Sequence, residues 1–174
     1  MQFTSKIAAL VLFSGAALAA PVAAPAAASE PGVTVNEVEP GLLFTMGPGA
    51  LALINNCGGS SFINRTGPYA PLVNDCRQIA YNIRNGGTWV TDGAAGNHRQ
   101  LVQYGTCAFG VEIKGGDPTF FDQYKVGNSD IIDLINDSIN RFQSGGRIGA
   151  EGRMPCQKVI QNGDAWVSWG IYHD

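Results

Sequence analysis

Apolar residues recur at helical spacing in two segments of the chain. In residues 71–84 the apolar positions 73, 76, 79 and 83 share one helical face, and in residues 129–142 positions 131, 135, 139 and 142 do so. Pro71 suits the first turn of the first helix, and Ser129 is the predicted N-cap of the second. Glycine pairs follow both segments and end the predicted helices.

Shorter segments with strand-like patterns separate and follow these helices. The clearest strand by alternation is the last one, in which every second residue from Ala165 to Ile171 is apolar. The predicted strands are 88–91, 99–104, 106–114, 147–154 and 165–172. Because helices and strands do not alternate regularly, we predict an α+β sandwich: an antiparallel sheet of four or five strands packed by two helices.

The N-terminus has the pattern of a secretory signal. Lys6 precedes a short apolar run at residues 7–18, and small residues at Ala17 and Ala19 fit a cleavage site. We predict a signal peptide at 1–19, an Ala/Pro-rich leader with a poorly defined segment at 20–55, and one domain at 56–174. The valines at positions 33, 35 and 38 indicate a short extended piece.

The net charge of the chain indicates which classes of binding partner are unfavourable. Without Lys6 the chain has ten basic and 14 acidic residues, and no run of lysine or arginine appears. A net-acidic protein without a basic patch is poorly suited to bind nucleic acid or anionic lipid. We therefore expect no nucleic-acid partner and no stable membrane insertion.

The chain contains four cysteines, Cys57, Cys76, Cys107 and Cys156. In a secreted chain an even number predicts two disulfides, not thiol chemistry or a metal site. Cys76 lies on the buried face of the first predicted helix and Cys107 begins the strand which that helix is expected to cover. We therefore favour Cys76–Cys107 with Cys57–Cys156. The main competitor joins 57 to 76 and 107 to 156.

Acid–base residues allow a weaker, enzymatic hypothesis. His98, Arg99 and Glu112 could cleave RNA if they flanked a phosphate, as in small secreted ribonucleases. A second set consists of carboxylates that could hydrolyse glycosides: Asp117, Asp122, Asp130, Asp133 and Asp137. Turn, cap and solvated helix positions explain these residues better. We therefore expect no catalytic residues, no metal site and no cofactor.

Surface features indicate modification and binding. The sequons at Asn64 and Asn136 are candidate glycosylation sites. Trp166 and Tyr172 lie on the side of the last strand opposite its apolar residues. If that side faces solvent, these two aromatic residues are the best candidates for a binding face.

Six segments, taken in order, resemble a family of fungal secreted effectors. The segments are CGGSSF at 57–62, PLVNDCRQIA at 71–80, HRQL at 98–101, GTCAFG at 105–110, VGNSDII at 126–132 and WGIY at 169–172. The family comprises homologues of extracellular protein two of a leaf-mould pathogen, described as necrosis-inducing factors, and the resemblance covers residues 56–172. It implies a non-enzymatic virulence protein of the plant apoplast and, for some members, a killer-toxin-like sandwich. It transfers the four cysteines but no catalytic residue.

Three functional hypotheses follow. The first is a secreted effector that binds an unknown plant host protein or cell-surface component and induces or modulates necrosis. The second is a small ribonuclease-like hydrolase that uses His98 and Glu112. The third is a killer-toxin-like antifungal protein that acts on channels or membranes of competing fungi. The sequence leaves the target and the oligomeric state open.

Overall fold

The computed structural model describes residues 42–45, 52–91, 99–113 and 123–174. Within these ranges the chain forms two helices and eight strands. In chain order they are β1 Leu42–Thr45, β2 Ile63–Asn64, α1 Val73–Asn82, β3 Thr88–Thr91, β4 Arg99–Tyr104, β5 Cys107–Glu112, β6 Tyr124–Gly127, α2 Asn128–Phe142, β7 Ala150–Gln157 and β8 Asp164–His173. In this part of the chain no helix is long and apolar enough to cross a bilayer.

The strands form two antiparallel sheets. The larger sheet has five strands in the order β2-β7-β8-β5-β4, and the smaller has three in the order β1-β3-β6. β8 is the central strand of the larger sheet and pairs along its length with β7 and β5. The predicted α+β class, with two helices and an antiparallel sheet of five strands, is confirmed. The smaller sheet was not predicted, because β1 and β6 have only four residues each and show no clear alternation.

Helix α1 forms where the apolar spacing predicts it. Its buried side chains, Val73, Cys76, Ile79 and Ala80, lie on one face. On its other side the Asp75 carboxylate accepts hydrogen bonds from the backbone N–H and the hydroxyl of Thr106, at 2.8 and 2.7 Å. These bonds attach the first turn of α1 to the turn between β4 and β5.

The start of helix α2 corrects one prediction. The helix begins at Asn128 with Gly127 at the N-cap position, so Ser129 is not the N-cap. The Asp130 carboxylate reaches back and accepts a hydrogen bond from the Gly127 N–H at 2.7 Å. The hydroxyl of Ser129 is hydrogen-bonded to the carboxylate of Asp133 at 3.4 Å. A buried aspartate in the first turn therefore takes over the capping that the sequence assigned to serine.

The hydrophobic core lies on the inner face of the five-stranded sheet. Trp169 and Phe109 are both buried there, with stacked rings whose centroids are 6.2 Å apart. The ring of Phe62 meets Trp169 edge-on at 5.3 Å, and the indole N–H of Trp169 donates to the Ser60 hydroxyl at 2.7 Å. The buried sides of both helices complete this core.

Two disulfides hold the fold together, Cys57–Cys156 and Cys76–Cys107. This is the pairing favoured from the sequence. The first bond joins the segment before β2 to the end of β7, and the second joins α1 to β5. No cysteine is free.

Strand β7, the first strand of the β7–β8 hairpin, starts later than predicted. The strand expected at 147–154 is β7 at Ala150–Gln157, because Ser144 and Arg147 close a tight turn through two 3.0 Å backbone hydrogen bonds. Gly145 and Gly146 occupy this turn with φ of 57° and 74°. Other expectations concern residues outside the described ranges: the signal peptide at 1–19, most of the leader at 20–55, the extended piece at 33–38, His98, Asp117 and Asp122.

Candidate functional site

The outer face of the five-stranded sheet carries the candidate site. Along β8 the side chains of Ala165, Val167, Trp169 and Ile171 are buried in the core. The alternating residues Trp166, Ser168, Gly170 and Tyr172 therefore lie on the opposite face. Trp166 is 51 % exposed and Tyr172 is partly exposed.

Strand register brings glycines and charged residues together on this face. Gly170 lies between Gly110 of β5 and Glu151 of β7. Ser168, two residues earlier, lies between Glu112 and Arg153. Because Gly170 has no side chain, the sheet surface is recessed there. We call the resulting cavity of about 340 Å³ the outer groove; its lining includes Ile63, Arg65, Glu112, Glu151, Arg153, Ser168, Gly170 and Tyr172.

The charges of the outer groove are balanced. Arg65 and Glu151 form an ion pair with a distance of 2.6 Å between guanidinium and carboxylate, and both side chains are substantially exposed. The Arg153 guanidinium lies 5.8 Å from the centre of the Trp166 ring, within the range of a cation–π contact. With Glu112, the lining contains two arginines and two glutamates. Among the residues that the structure describes, the charges of the groove lining therefore cancel.

A chain of polar side chains borders the groove on the β4 side. The hydroxyl of Tyr172 donates to the amide oxygen of Gln100 at 3.0 Å, and the Gln100 amide N–H donates to Gln103 at 3.0 Å. Burial, together with the nearby negative charge of Asp174, raises the pKa of Tyr172. The phenol therefore stays protonated and acts as a hydrogen-bond donor.

The outer groove continues past Tyr172. A neighbouring cavity of about 350 Å³ shares Arg65, Ile171 and Tyr172 with it and extends to the loop at 67–71. Tyr69 in that loop is 86 % exposed. Tyr69 thus borders the second cavity and Tyr172 borders both, while Trp166 lies beside the groove next to its lining residue Arg153.

The described residues test only one part of the acid–base hypothesis, the relative placement of Arg99 and Glu112. Glu112 lines the outer groove, whereas His98 lies outside the described residues. Arg99 pairs in register with Val111, whose side chain is buried in the core. Successive residues of a strand point to opposite faces, so Arg99 and Glu112 lie on different sides of the sheet. The sequence adjacency of His98 and Arg99 therefore does not place Arg99 in the groove.

The described members of the aspartate set lie on another surface. Asp130, Asp133 and Asp137 border a depression beside α2 together with Phe62. Asp130 is buried and caps the helix, and Asp137 pairs with Arg141 at 3.7 Å one helical turn away. The structural roles expected for these two residues are the ones observed.

The structure also shows the surroundings of the two predicted glycosylation sites and allows a search for metal-ligating clusters. The side chains of Asn64 and Asn136 are both exposed, so glycosylation at each stays a prediction. Within residues 42–45, 52–91, 99–113 and 123–174 no three metal-ligating side chains are clustered. Sequence reasoning missed Arg65, Glu151, Ser168 and the glycine floor, and only the cross-strand register could have grouped them.

Comparison with known proteins relates the chain to fungal effectors and chitinases. The sequence profile of the Hce2 family, described as "Pathogen effector; putative necrosis-inducing factor", matches residues 56–156. The chain is also similar to "Probable chitinase LysM18" of Penicillium expansum, with 35 % identity over 125 residues, 68 % of this chain and 8 % of that protein. "Secreted chitinase LysM12" of the same fungus is 28 % identical over 123 residues, 65 % of this chain and 7 % of that protein.

The lengths of these matches show which part of each protein is similar. The chain spans less than a tenth of either chitinase-named protein. The family match includes all four cysteines and ends at Cys156, so β8 lies beyond it. Tyr172, which lines the outer groove, and Trp166, which lies beside it, are therefore not covered by the family profile.

Proposed function

This chain belongs to the Hce2 family of pathogen effectors, and from that premise we propose that it is a secreted protein that acts by binding a host target. The target is a protein or cell-surface component of a plant, and its engagement in the apoplast induces or modulates necrosis. An extracellular site of action agrees with the two disulfides and with the word "secreted" in the name of one relative.

The observation that carries this proposal is the outer groove. Exposed aromatic residues, hydrogen-bonding side chains and internally paired charges are typical of a recognition surface. They do not require a nucleophile, a metal or a cofactor. Binding by this face explains how a small disulfide-linked protein can act on a host without catalysis.

Leaf infiltration tests the proposal. We expect purified wild-type protein to cause ion leakage or a defence response in at least one host genotype, and we expect Trp166→Ala to weaken it. Tyr81→Ala is the matched control, because Tyr81 is an aromatic residue of similar exposure (52 %) on α1, away from the groove. If folded wild-type protein causes no response at any dose across a panel of genotypes, the effector proposal is wrong.

A small hydrolase is the second candidate, because Glu112 and Glu151 both line the outer groove. Most glycoside hydrolases use two carboxyl groups that lie on either side of the bond to be cleaved. The names of the two relatives make chitin the first polymer to test, and RNA is the second because of the His98 hypothesis. Release of reducing ends or nucleotides by wild-type protein, lost in Glu112→Gln, would replace the binding proposal with a catalytic one.

A further inference from the structure

We propose that the outer groove binds a neutral carbohydrate chain. This inference rests on the proposed function, since it names the chemical class of the target that the same face recognises. A pyranose ring has one or two apolar C–H faces and a rim of hydroxyl groups. It is therefore recognised by aromatic rings for its faces and by planar polar side chains for its rim.

The aromatic residues are placed for a chain of sugars and not for a single sugar. Trp166 and Tyr172 lie on the same face of β8, six residues apart, so their Cα atoms are separated by about 20 Å along the strand. The neighbouring cavity shares Tyr172 with the groove and is bordered by the exposed residue Tyr69. A monosaccharide would contact one of these rings, whereas an extended oligosaccharide can stack on several.

The floor between the rings allows a close approach. Gly170 lines the groove and has no side chain, so a ligand can approach the backbone of β8 between the positions of Trp166 and Tyr172. A Cβ atom added at Gly170 would meet only ordinary contacts, 3.7 Å from the Tyr172 ring and 4.0 Å from the Ala150 carbonyl oxygen. Folding therefore does not demand glycine at this position, and the recess that it creates is available to a ligand.

Hydrogen-bonding groups line the same recess. Arg65 is held by Glu151, and its guanidinium carries further N–H groups that can donate to ligand hydroxyl groups. The Ser168 hydroxyl lies in the groove lining, is buried, and has no hydrogen-bond partner among the described residues. A buried hydroxyl without a partner is unfavourable, and each case in a native fold calls for an explanation. A ligand hydroxyl that reached it would satisfy it.

Charge selects neutral chains over anionic ones. The two arginines and two glutamates of the lining cancel, and the whole chain has a formal net charge of −3. A sulfated or uronic-acid polymer would gain nothing from this balance and would meet an acidic protein. Uncharged hydroxyl and acetamido groups can hydrogen-bond to the arginine and glutamate side chains of the lining without electrostatic repulsion.

Titration calorimetry with three soluble probes tests the inference: chitohexaose, cellohexaose and laminarihexaose. We expect wild-type protein to bind at least one of them, Trp166→Ala to weaken that binding about tenfold, and Tyr81→Ala to leave it unchanged. Gly170→Val suits a strand and fills the floor, so it should abolish binding while near-UV circular dichroism stays native. If Gly170→Val fails to fold, Trp166→Ala decides the question.

Three results would overturn the inference. They are no binding of any probe at millimolar concentration, equal binding by wild type and Trp166→Ala, and tighter binding of polygalacturonate or heparin than of every neutral probe. Leaf infiltration of the same preparations separates the two proposals. A leaf response without glycan binding defeats the carbohydrate inference alone, and glycan binding without a leaf response defeats the effector proposal alone.

Discussion

Asp130 is a buried carboxylate held by three backbone hydrogen bonds. Its carboxylate is buried at the start of α2 and accepts hydrogen bonds from the backbone N–H groups of Gly127, Asn56 and Cys57, at 2.7, 2.9 and 3.3 Å. Burial raises the pKa of Asp130, and the charge of Asp133 acts in the same direction, while the three hydrogen bonds oppose both. One side chain thus caps the helix and fastens the segment before the first disulfide.

Stability should depend on pH through Asp130. Because its folded pKa lies above the ordinary value of 3.8, the folded state holds the proton more tightly than the unfolded state does. Its contribution to the free energy of unfolding is therefore highest at low pH and is lost as pH rises through the folded pKa. Asp130→Asn removes this titration. Urea unfolding at a series of pH values should show wild type losing stability relative to the variant across that window; parallel curves would contradict the assignment.

Gly152 allows β7 to lie close to the backbone of the segment before β2. A Cβ atom there would collide with the carbonyl oxygen of Ser61 and lie 2.8 Å from two ring atoms of Trp169. Gly152→Ala should therefore lower the free energy of unfolding by about 1–3 kcal/mol, the usual cost of overpacking. Gly67→Ala is the control, since nothing lies within 4 Å of a Cβ there. Equal denaturation midpoints for the two variants would show that the segment containing Ser61 can shift without lowering the free energy of unfolding.

At the scale of elements, the two disulfides join different parts of the fold and close loops of different length. Cys76–Cys107 joins α1 to β5 within the core and closes a span of 31 residues. Cys57–Cys156 joins the segment leading into β2 to the end of β7 and closes a span of 99 residues. In the chain-entropy model the longer loop restricts the unfolded chain more, so it contributes more stability.

Removing each disulfide by paired alanine substitutions should separate these roles. The model predicts a loss of about 4–5 kcal/mol for Cys57→Ala with Cys156→Ala, and about 3–4 kcal/mol for Cys76→Ala with Cys107→Ala. Urea unfolding of both variants measures the two losses. A larger loss for the second pair would indicate that packing of α1 against β5, and not loop length, dominates.

At the scale of the whole molecule, balanced charge predicts how binding responds to salt. A neutral groove on an acidic protein gains little from long-range attraction, so screening should change its affinity little. We expect retention on an insoluble plant cell-wall preparation to change less than about twofold between about 0.05 and about 0.5 M NaCl. Steep loss of retention with salt would mean that ionic contacts dominate and would argue against a neutral ligand.

Much of the architecture could be predicted from local patterns. The face of α1 that contains Cys76 and Ile79, and the alternation of β8 around Trp169, are buried as their spacing indicates. The N-cap of α2 could not be predicted, because Ser129 and Asp130 are both acceptable in the first turn and only the burial of Asp130 against residues 54–57 decides between them. The smaller sheet escaped prediction because four-residue strands carry too few positions to show a period.

The candidate site divides in the same way. The sequence by itself determined that Trp166 and Tyr172 share a face, because alternation within one strand is a local property. It also determined the family, through segments whose order and spacing are read directly. Only the tertiary structure decided that Gly170 meets Gly110, that Arg65 pairs with Glu151, and that Arg99 faces away from Glu112. Those relations depend on the register between strands distant in sequence, and register is set by packing of the whole sheet and not by any local pattern.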